Sequence, residues 1–555
     1  MNLTASNFTL TIENLETDFL TTKTIHVLEQ HFLAKYLQQC RWFGGKARAI
    51  RHIEIAESIL FVSQGGEKIY LFILQVFYQD ASSELYQLPF SYTITDKQYL
   101  ETNFPKAIIG QFVVGTDENT QIGVMYDAVY SENYRTILWK LIAEKQQLLS
   151  NNGTIVFDSG QILNTYIAQK QEKTIVSKVL AVEQSNTSII YEDKFFLKLY
   201  RKLDKAINPD LEINRFFAEQ TTYRNVASFA GAIEIQEPKS EPIVLAMMQE
   251  MISNQGDAWT LMLQLVEQFY DTISKLPSHI QQKPPVLWNS YSFDFKSIHK
   301  DLQNWIGVEV YNKIVLLGKR TAEMHLALAS NKEVADFAPK EFTTDYQNYL
   351  CEHLTNTIKE KLTFLQSIRN TLLPEVKQEI DKILNCKDKI LAIIQLIKTQ
   401  PIDALRVRMH GDYHLGQVLF TGTDFVIIDF EGEPATPFAE RRLKHSVLKD
   451  VAGMLRSFHY AVYATLLQND KFKNVDTVQF GLWAETWYHC ARGFYLDSYF
   501  TTVANTKLIP KDTKSMEVLL KAFLLEKAMY ELCYEANNRP TWLQIPLNGI
   551  LKLIE

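Results

Sequence analysis

At 555 residues the chain has length for about three domains, and its 46% hydrophobic and 22% charged composition is that of a soluble globular protein. A net charge of −7 spread over this length excludes the concentrated basic stripe of a nucleic-acid surface, and no apolar run nears the roughly 18 residues of a membrane span. Cys40, Cys351, Cys386, Cys490 and Cys533 are scattered with no CxxC pair, which argues against a disulfide framework or a structural zinc site. The first residues lack the basic and apolar regions of a cleaved secretion signal, so a cytoplasmic location is expected.

Up to about residue 145 strand-like runs such as Ile69 to Leu74 are punctuated by turn signals at Gly65-Gly66 and Gly110, which predicts a sheet-rich unit. From Thr174 to Tyr200 three short strand patterns follow one another, separated by a polar stretch from Glu183 to Thr187 and by Glu192-Asp193. They predict an antiparallel meander. Asn208-Pro209-Asp210-Leu211-Glu212 is a helix start: asparagine caps, proline suits the first turn, and the acids face the positive end of the helix dipole. An apolar strand over Ile243 to Met247 precedes a long Lys/Glu-rich stretch, Ala258 to Pro401, with the periodicity of several amphipathic helices.

The densest chemistry runs from Met409 through His410-Gly411-Asp412-Tyr413-His414-Leu415-Gly416-Gln417 to Asp429-Phe430-Glu431-Gly432-Glu433-Pro434. Phosphoryl transfer needs a carboxylate to take the proton of the attacking hydroxyl and oxygen ligands for the magnesium that offsets phosphate charge. Asp412 fits the base. Gln417 stands where protein kinases place a metal-binding asparagine, and Asp429, ending an apolar strand before Phe430, fits their second metal ligand. Upstream, Lys198 is the sole charge in the strand Phe195 to Leu199, and Glu212 in the following helix is its natural partner for holding nucleotide phosphates. No GxGxxG is present; Ser185, Asn186 and Thr187 occupy the place of a phosphate-covering loop, where hydroxyls, amides and backbone N–H groups bind anionic oxygens. Gln249, Glu250 and Met251 end the strand that serves as an adenine hinge.

The run HGDYHLGQ, DFEGEP and AERRLKHSVLKDVAGMLRSF, from His410 to Phe458, resembles the maltokinases, a branch of the aminoglycoside-phosphotransferase-like kinases. Near the C-terminus, Lys527-Ala528-Met529-Tyr530-Glu531-Leu532-Cys533-Tyr534-Glu535-Ala536-Asn537-Asn538-Arg539-Pro540-Thr541-Trp542 is similar to a stretch near their maltose pocket. Spacing alone reads that stretch as an amphipathic helix with a tyrosine stripe and a Glu535–Arg539 surface pair. Gln39 to Lys46 and Tyr126-Asp127-Ala128 resemble the cap that precedes these kinases.

The resemblance implies an α+β protein: a sheet-rich N-terminal cap (1–145), a β-rich kinase N-lobe with its hinge (146–255), and a mostly helical C-lobe (256–555). It implies ATP and Mg²⁺ as cofactors, Asp412 as base, Gln417 and Asp429 as metal ligands, and a role near the phosphates and acceptor for His410, His414 and Glu431. Lys527, Tyr530, Glu531, Tyr534 and Asn538 are implied as sugar contacts. The implied reaction is phosphorylation of maltose at its anomeric hydroxyl, feeding glycogen and α-glucan synthesis. Related kinases act on glucosamine, glucose or aminoglycosides. An inactive sugar- or nucleotide-binding regulator would lack the base or a metal ligand, and neither is missing. Some relatives are fused to trehalose synthase, so association with that enzyme is compatible with the resemblance.

Overall fold

The computed structural model describes residues 10–554 apart from 13–14, 16–18, 116–119, 152, 171–173, 181–185, 286–289, 435 and 473–475. Ser185 of the expected phosphate loop lies outside the described residues. The chain forms two compact units, residues 1–212 with 228–251, and residues 213–227 with 252–555. The expected boundary at 145 falls inside the first unit.

That unit holds two sheets. The first is built from β1 (Leu10–Ile12), β2 (Ile50–Val62), β3 (Lys68–Tyr78), β4 (Ser83–Thr93), β5 (Ile108–Val114) and β6 (Gln121–Asp127), in the order β1-β5-β6-β4-β3-β2. The β1–β5 pair is parallel and the other pairs on this path are antiparallel. The second sheet contains β7 (Gln147–Leu149), β8 (Thr154–Ser159), β9 (Ser177–Val179), β10 (Thr187–Tyr191) and β11 (Phe195–Leu199). The short β12 (Lys202–Leu203) returns to β4, while β13 (Phe229–Gln236) and β14 (Ile243–Glu250) complete the second sheet in the order β7-β8-β13-β14-β11-β10-β9. The predicted meander is therefore β9-β10-β11, antiparallel throughout.

Strand β3 is apolar on both faces because both are covered. Ile69, Leu71 and Ile73 join one buried cluster with Ile155, Leu197 and Met247 of the second sheet, while Tyr70, Phe72 and Leu74 join another with Leu28, Leu33 and Phe112. Side chains alternate across a strand, so one residue run serves two cores. The sheets are also tied by charge. Arg201, buried, donates from Nη2 to Asp127 Oδ2 at 2.6 Å and from Nε to Thr187 Oγ1 at 2.7 Å, with its guanidinium 4.8 Å from the Trp42 ring. Gly110 corrects one expectation. It lies within β5, not in a turn, at a register shift against β6, where a Cβ would fall 2.3 Å from the Phe32 ring. A bulge and an aromatic ring packed on the backbone produce the same glycine signal as a turn.

The second unit is helical. The predicted helix beginning at Pro209 runs to Gln220 and crosses the unit boundary, with Asn208 Oδ1 accepting from the Asp210 and Leu211 N–H groups. The Lys/Glu-rich stretch forms, among others, α1 (Ala258–Ser274), α2 (Val308–Leu328), α3 (Thr344–Ile368) and α4 (Lys387–Thr399). After the segment that carries Asp412 come α5 (Leu448–Gln468), α6 (Thr477–Val503), α7 (Thr513–Asn538) and α8 (Gln544–Ile554). Helix α5 is the central one: its residues from Leu448 to Met454 are buried almost without a break, and it packs on α1, α6 and α7. Among the described residues no helix is long and apolar enough to cross a membrane.

Gly453 lets α5 approach the segment that carries Asp412. A Cβ there would sit 2.5 Å from the Tyr413 carbonyl oxygen, a contact that backbone relieves only by moving. Gly453→Ala is expected to lower stability in urea unfolding by about 1–3 kcal/mol, the cost of overpacking a filled core. Activity should fall with it because the loop it displaces carries Asp412.

Candidate active site

The segment His410 to Phe430 is a loop, a 3-10 turn at Leu415–Gln417 and the hairpin β15 (Val418–Phe420) with β16 (Phe425–Ile427). A loop of this kind has few backbone bonds of its own, and a buried side chain supplies them. Asp450, on the first turn of α5, accepts from the His410 N–H at 2.8 Å and the Gly411 N–H at 2.9 Å. Its Oδ2 also lies 3.1 Å from His325 Nε2, and His325 Nδ1 lies 2.8 Å from the Tyr499 hydroxyl. Burial disfavours the Asp450 carboxylate, but the His325 contact and the donors around it outweigh burial and hold its pKa below the ordinary value.

Asp412 follows this anchored pair. Lys527 Nζ of α7 lies 3.0 Å from Asp412 Oδ1. Burial raises the Asp412 pKa, yet Lys527 and the neighbouring histidines His414 and His410 reverse the sign and keep it below the ordinary value. Lys527 in turn is pushed up: burial works against its charge, and Asp412, Glu433 and Glu531 together prevail. His414 Nδ1 accepts from the Gly416 N–H at 3.0 Å, and burial followed by Lys527 and His410 lowers its pKa against the pull of Asp412. His410 bonds through Nε2 to the Ile428 carbonyl at 3.0 Å and is almost fully buried, which gives it a structural position under the loop.

Gln417 donates from Nε2 to Asp429 Oδ2 at 2.8 Å, which leaves the amide oxygen as its acceptor. Asp429 has φ 68°, the left-handed region, where a non-glycine residue carries backbone strain that tertiary structure must hold. Asp429 and Glu431 each present a carboxylate oxygen within 4.8 Å of the other. Hard oxygens this close are the donor set that Mg²⁺ takes, so the residues present fit that ion.

Beside Asp412 opens a cavity of about 270 Å³. Asp412, Lys527 and Tyr530 line it, as do Glu433, Arg441, Lys449 and Glu526. Lys449 Nζ and Glu526 Oε1 pair at 3.0 Å, and Glu433 Oε1 is buried without a partner among the described residues. A third wall comes from α3, which presents Tyr349, His353, Thr357 and Lys361 at intervals of four residues. Glu531 does not line this cavity: its Oε2 meets Arg456 Nε at 2.8 Å. Tyr534 and Asn538 lie further along α7, both exposed and outside the lining; the Tyr534 ring packs on Tyr530 with centroids 6.4 Å apart. The Glu535–Arg539 pair read from spacing forms at 2.7 Å. Sequence reasoning missed Asp450, Glu433, the Lys449–Glu526 pair and the α3 stripe. Only the stripe, polar residues at helical spacing, carried a pattern to be found.

The expected nucleotide residues belong to the first unit. Lys198 on β11 lies 3.2 Å from Asp210 Oδ2, which also accepts from the Tyr200 hydroxyl at 3.1 Å. Asp210 stands on the same first helical turn as the expected Glu212. Asn186 precedes β10, Thr187 begins it and bonds Arg201. At the end of β14, Gln249 pairs with Phe196, Glu250 accepts from the Ser228 hydroxyl at 2.8 Å, and the Met251 N–H donates to the Lys194 carbonyl at 2.7 Å.

The family model of the maltokinase N-terminal cap domain matches residues 36–130. The solved structure of a glucosamine kinase in complex with glucosamine, ADP and inorganic phosphate superposes with a TM-score of 0.58 at 15% identity, covering 91% of this chain and 94% of that one. The chain has the fold of that kinase, and its residues 36–130 are similar to the maltokinase cap. A second crystal form of glucosamine kinase gives a TM-score of 0.60 over 92% of this chain and 95% of that one, again at 15% identity. In sequence, the glucosamine kinase of Mycolicibacterium smegmatis is 23% identical over 381 residues, 68% of this chain and 79% of that protein. The glucosamine kinase of Streptacidiphilus jiangxiensis is 26% identical over 140 residues, and that match spans 25% of this chain and 30% of the relative.

The electrostatics of the base are open to a direct check. Lys527 is the leading charge that holds the Asp412 pKa below the ordinary value against burial. In Lys527→Met the acid limb of the pH profile of kcat/KM is expected to move to higher pH, since the depressed folded-state pKa rises when the ammonium is removed. A profile whose acid limb stays in place would show that Lys527 does not set the ionisation of Asp412.

Proposed function

We propose that this chain transfers the terminal phosphoryl group of ATP to the anomeric hydroxyl of maltose. The observation that carries the reading is Asp412, ion-paired to Lys527 and held on an anchored loop at the edge of a sugar-sized cavity. The Asp412 carboxylate takes the proton of the sugar hydroxyl as its oxygen bonds to the γ-phosphorus, and the bond from that phosphorus to the β–γ bridging oxygen breaks to release ADP. Catalysis in such a transfer is mostly positioning and charge stabilisation. Gln417, Asp429 and Glu431 are the residues that would hold Mg²⁺, which offsets the charge of the phosphates. Lys198 with Asp210 supplies a cation for the nucleotide, and the β14 end from Gln249 to Met251 an adenine hinge.

The acceptor is argued from the cavity wall. Asp412 and Glu526 are each matched by a lysine, so an uncharged sugar meets a wall of paired charges and hydroxyl partners, with the Tyr530 ring beside it. The motif from Lys527 to Trp542 supports maltose, as does the matched cap. The second reading is an amino sugar, and one observation favours it: the open Glu433 oxygen offers an acceptor for an ammonium group as well as for a hydroxyl. Two of the relatives are glucosamine kinases. A maltose 1-phosphate product would serve as an activated donor for α-glucan synthesis.

The two readings separate in one assay. Purified protein with ATP, Mg²⁺ and maltose, glucose or glucosamine in turn is followed by ADP release, with phosphorus NMR locating the new ester. Maltose is expected to turn over fastest and to give an anomeric phosphate; preferred turnover of glucosamine would leave the kinase reading intact and remove the acceptor assignment.

A further inference from the structure

A second cavity, of about 360 Å³, lies within the helical unit and shares no lining residue with the one beside Asp412. Its walls come from α5, α6, α7 and α8, with Tyr291 from the preceding loop region. Arg456, Arg492, Lys521 and Lys552 face one lining carboxylate, Glu485. That carboxylate is already engaged, by Lys552 Nζ at 2.7 Å and by His459 Nε2 at 3.4 Å. Arg456 is taken by Glu531.

Two cations remain without a carboxylate at ion-pair distance among the described residues, Arg492 and Lys521. Arg492 Nη2 donates to the Ser290 carbonyl at 3.3 Å and meets His489 Nδ1 at 2.9 Å, while its Nε is buried with no acceptor among the described residues. Lys521 is half-buried, and its pKa is depressed by burial and then by Lys389, as expected of an ammonium that lacks a counter-charge. Glu517, one turn earlier on α7, acts on Tyr291 but forms no ion pair with Lys521 among the described residues. The Arg492 guanidinium lies 5.2 Å from the Tyr291 ring centroid.

We propose that this cavity is a second ligand site, separate from the catalytic one, that binds a small phosphate-bearing molecule through Arg492 and Lys521. A guanidinium fork beside an ammonium is the pairing that recognises a phosphate monoester. The volume falls in the range of small-molecule pockets, about 300–1,000 Å³, and is too confined for a folded acidic partner. The aromatic wall gives a sugar ring an apolar face to rest on. The phosphate comes from one of two sources, inorganic phosphate or a sugar phosphate. Arg456 joins this site to the acceptor side, because the same guanidinium that lines the cavity holds Glu531, whose charge acts on Lys527.

The test is calorimetric titration of the full chain, saturated with Mg²⁺ and ADP, with inorganic phosphate and separately with glucose 1-phosphate. Hydrogen exchange of 448–468 and 477–503 is read alongside. The wild-type protein is expected to bind at least one of the two with protection in those helices. Arg492→Gln with Lys521→Gln should weaken that binding by at least about 10-fold, leaving ADP affinity and melting temperature unchanged. Equal binding of both probes assigns the site to phosphate alone, and tighter binding of glucose 1-phosphate assigns it to a sugar phosphate. The single variant Lys521→Gln, at a half-exposed position, gives the same direction should the double variant fold poorly. Binding that is absent, unchanged by both variants, or protected only over 409–432 overturns the proposal. Because no turnover is measured, none of these outcomes depends on which sugar the catalytic site phosphorylates.

Discussion

The site depends on one buried carboxylate. Asp450 takes two backbone N–H groups from the loop that carries Asp412, and its charge is stabilised from behind by His325, which the Tyr499 hydroxyl contacts in turn. Loops normally sit on surfaces because buried backbone groups need partners. Here a helix through the centre of the unit provides them, so a loop is held with the rigidity of regular structure. Removing one partner from such a network costs several kcal/mol, because the remaining polar groups stay buried. The position of Asp412 is thereby set by the packing of α5, and through α5 by the helices around it.

Charge pairing is the second organising feature. Among the described residues around the cavity beside Asp412, Asp412 and Glu526 each meet a lysine and Asp450 is held by His325 and two backbone N–H groups, while Glu433 Oε1 is buried without a partner. The arrangement holds several charges close together without a large net field. In the first unit the same logic serves structure. Arg201 and Asp127, both buried, bind the cap sheet to the strand that follows Lys198, which explains why residues near Trp42 and Asp127 stand out in a sequence that otherwise shows no chemistry there.

Much of this was legible in the chain because the relevant signals are local. The β9-β10-β11 meander, the helix at Pro209 and the helices after Ala258 follow from periodicity and capping within a few residues. Asp412, Gln417 and Asp429 sit in one short run whose spacing matches a chemical requirement. What the sequence hid was long-range. Asp450 and His325 meet across 125 residues, Lys449 and Glu526 across 77, and nothing in either segment announces its partner. Glu531 illustrates the reverse: its place beside Lys527 and Tyr530 suggested a sugar contact, whereas the turn of α7 points it to Arg456. Gly110 was read as a turn since ring packing leaves no separate mark.

The central claim is that Asp412 is the base of a phosphoryl transfer and not part of the binding surface for nucleotide. The most direct measurement is the rate of ADP release by Asp412→Asn with ATP, Mg²⁺ and the sugar the wild-type protein turns over, together with ATP affinity on the same preparation. The account predicts a fall in kcat of about 10²–10⁴-fold with ATP affinity essentially unchanged. A variant that retains wild-type turnover, or that loses ATP binding in proportion to activity, would contradict it.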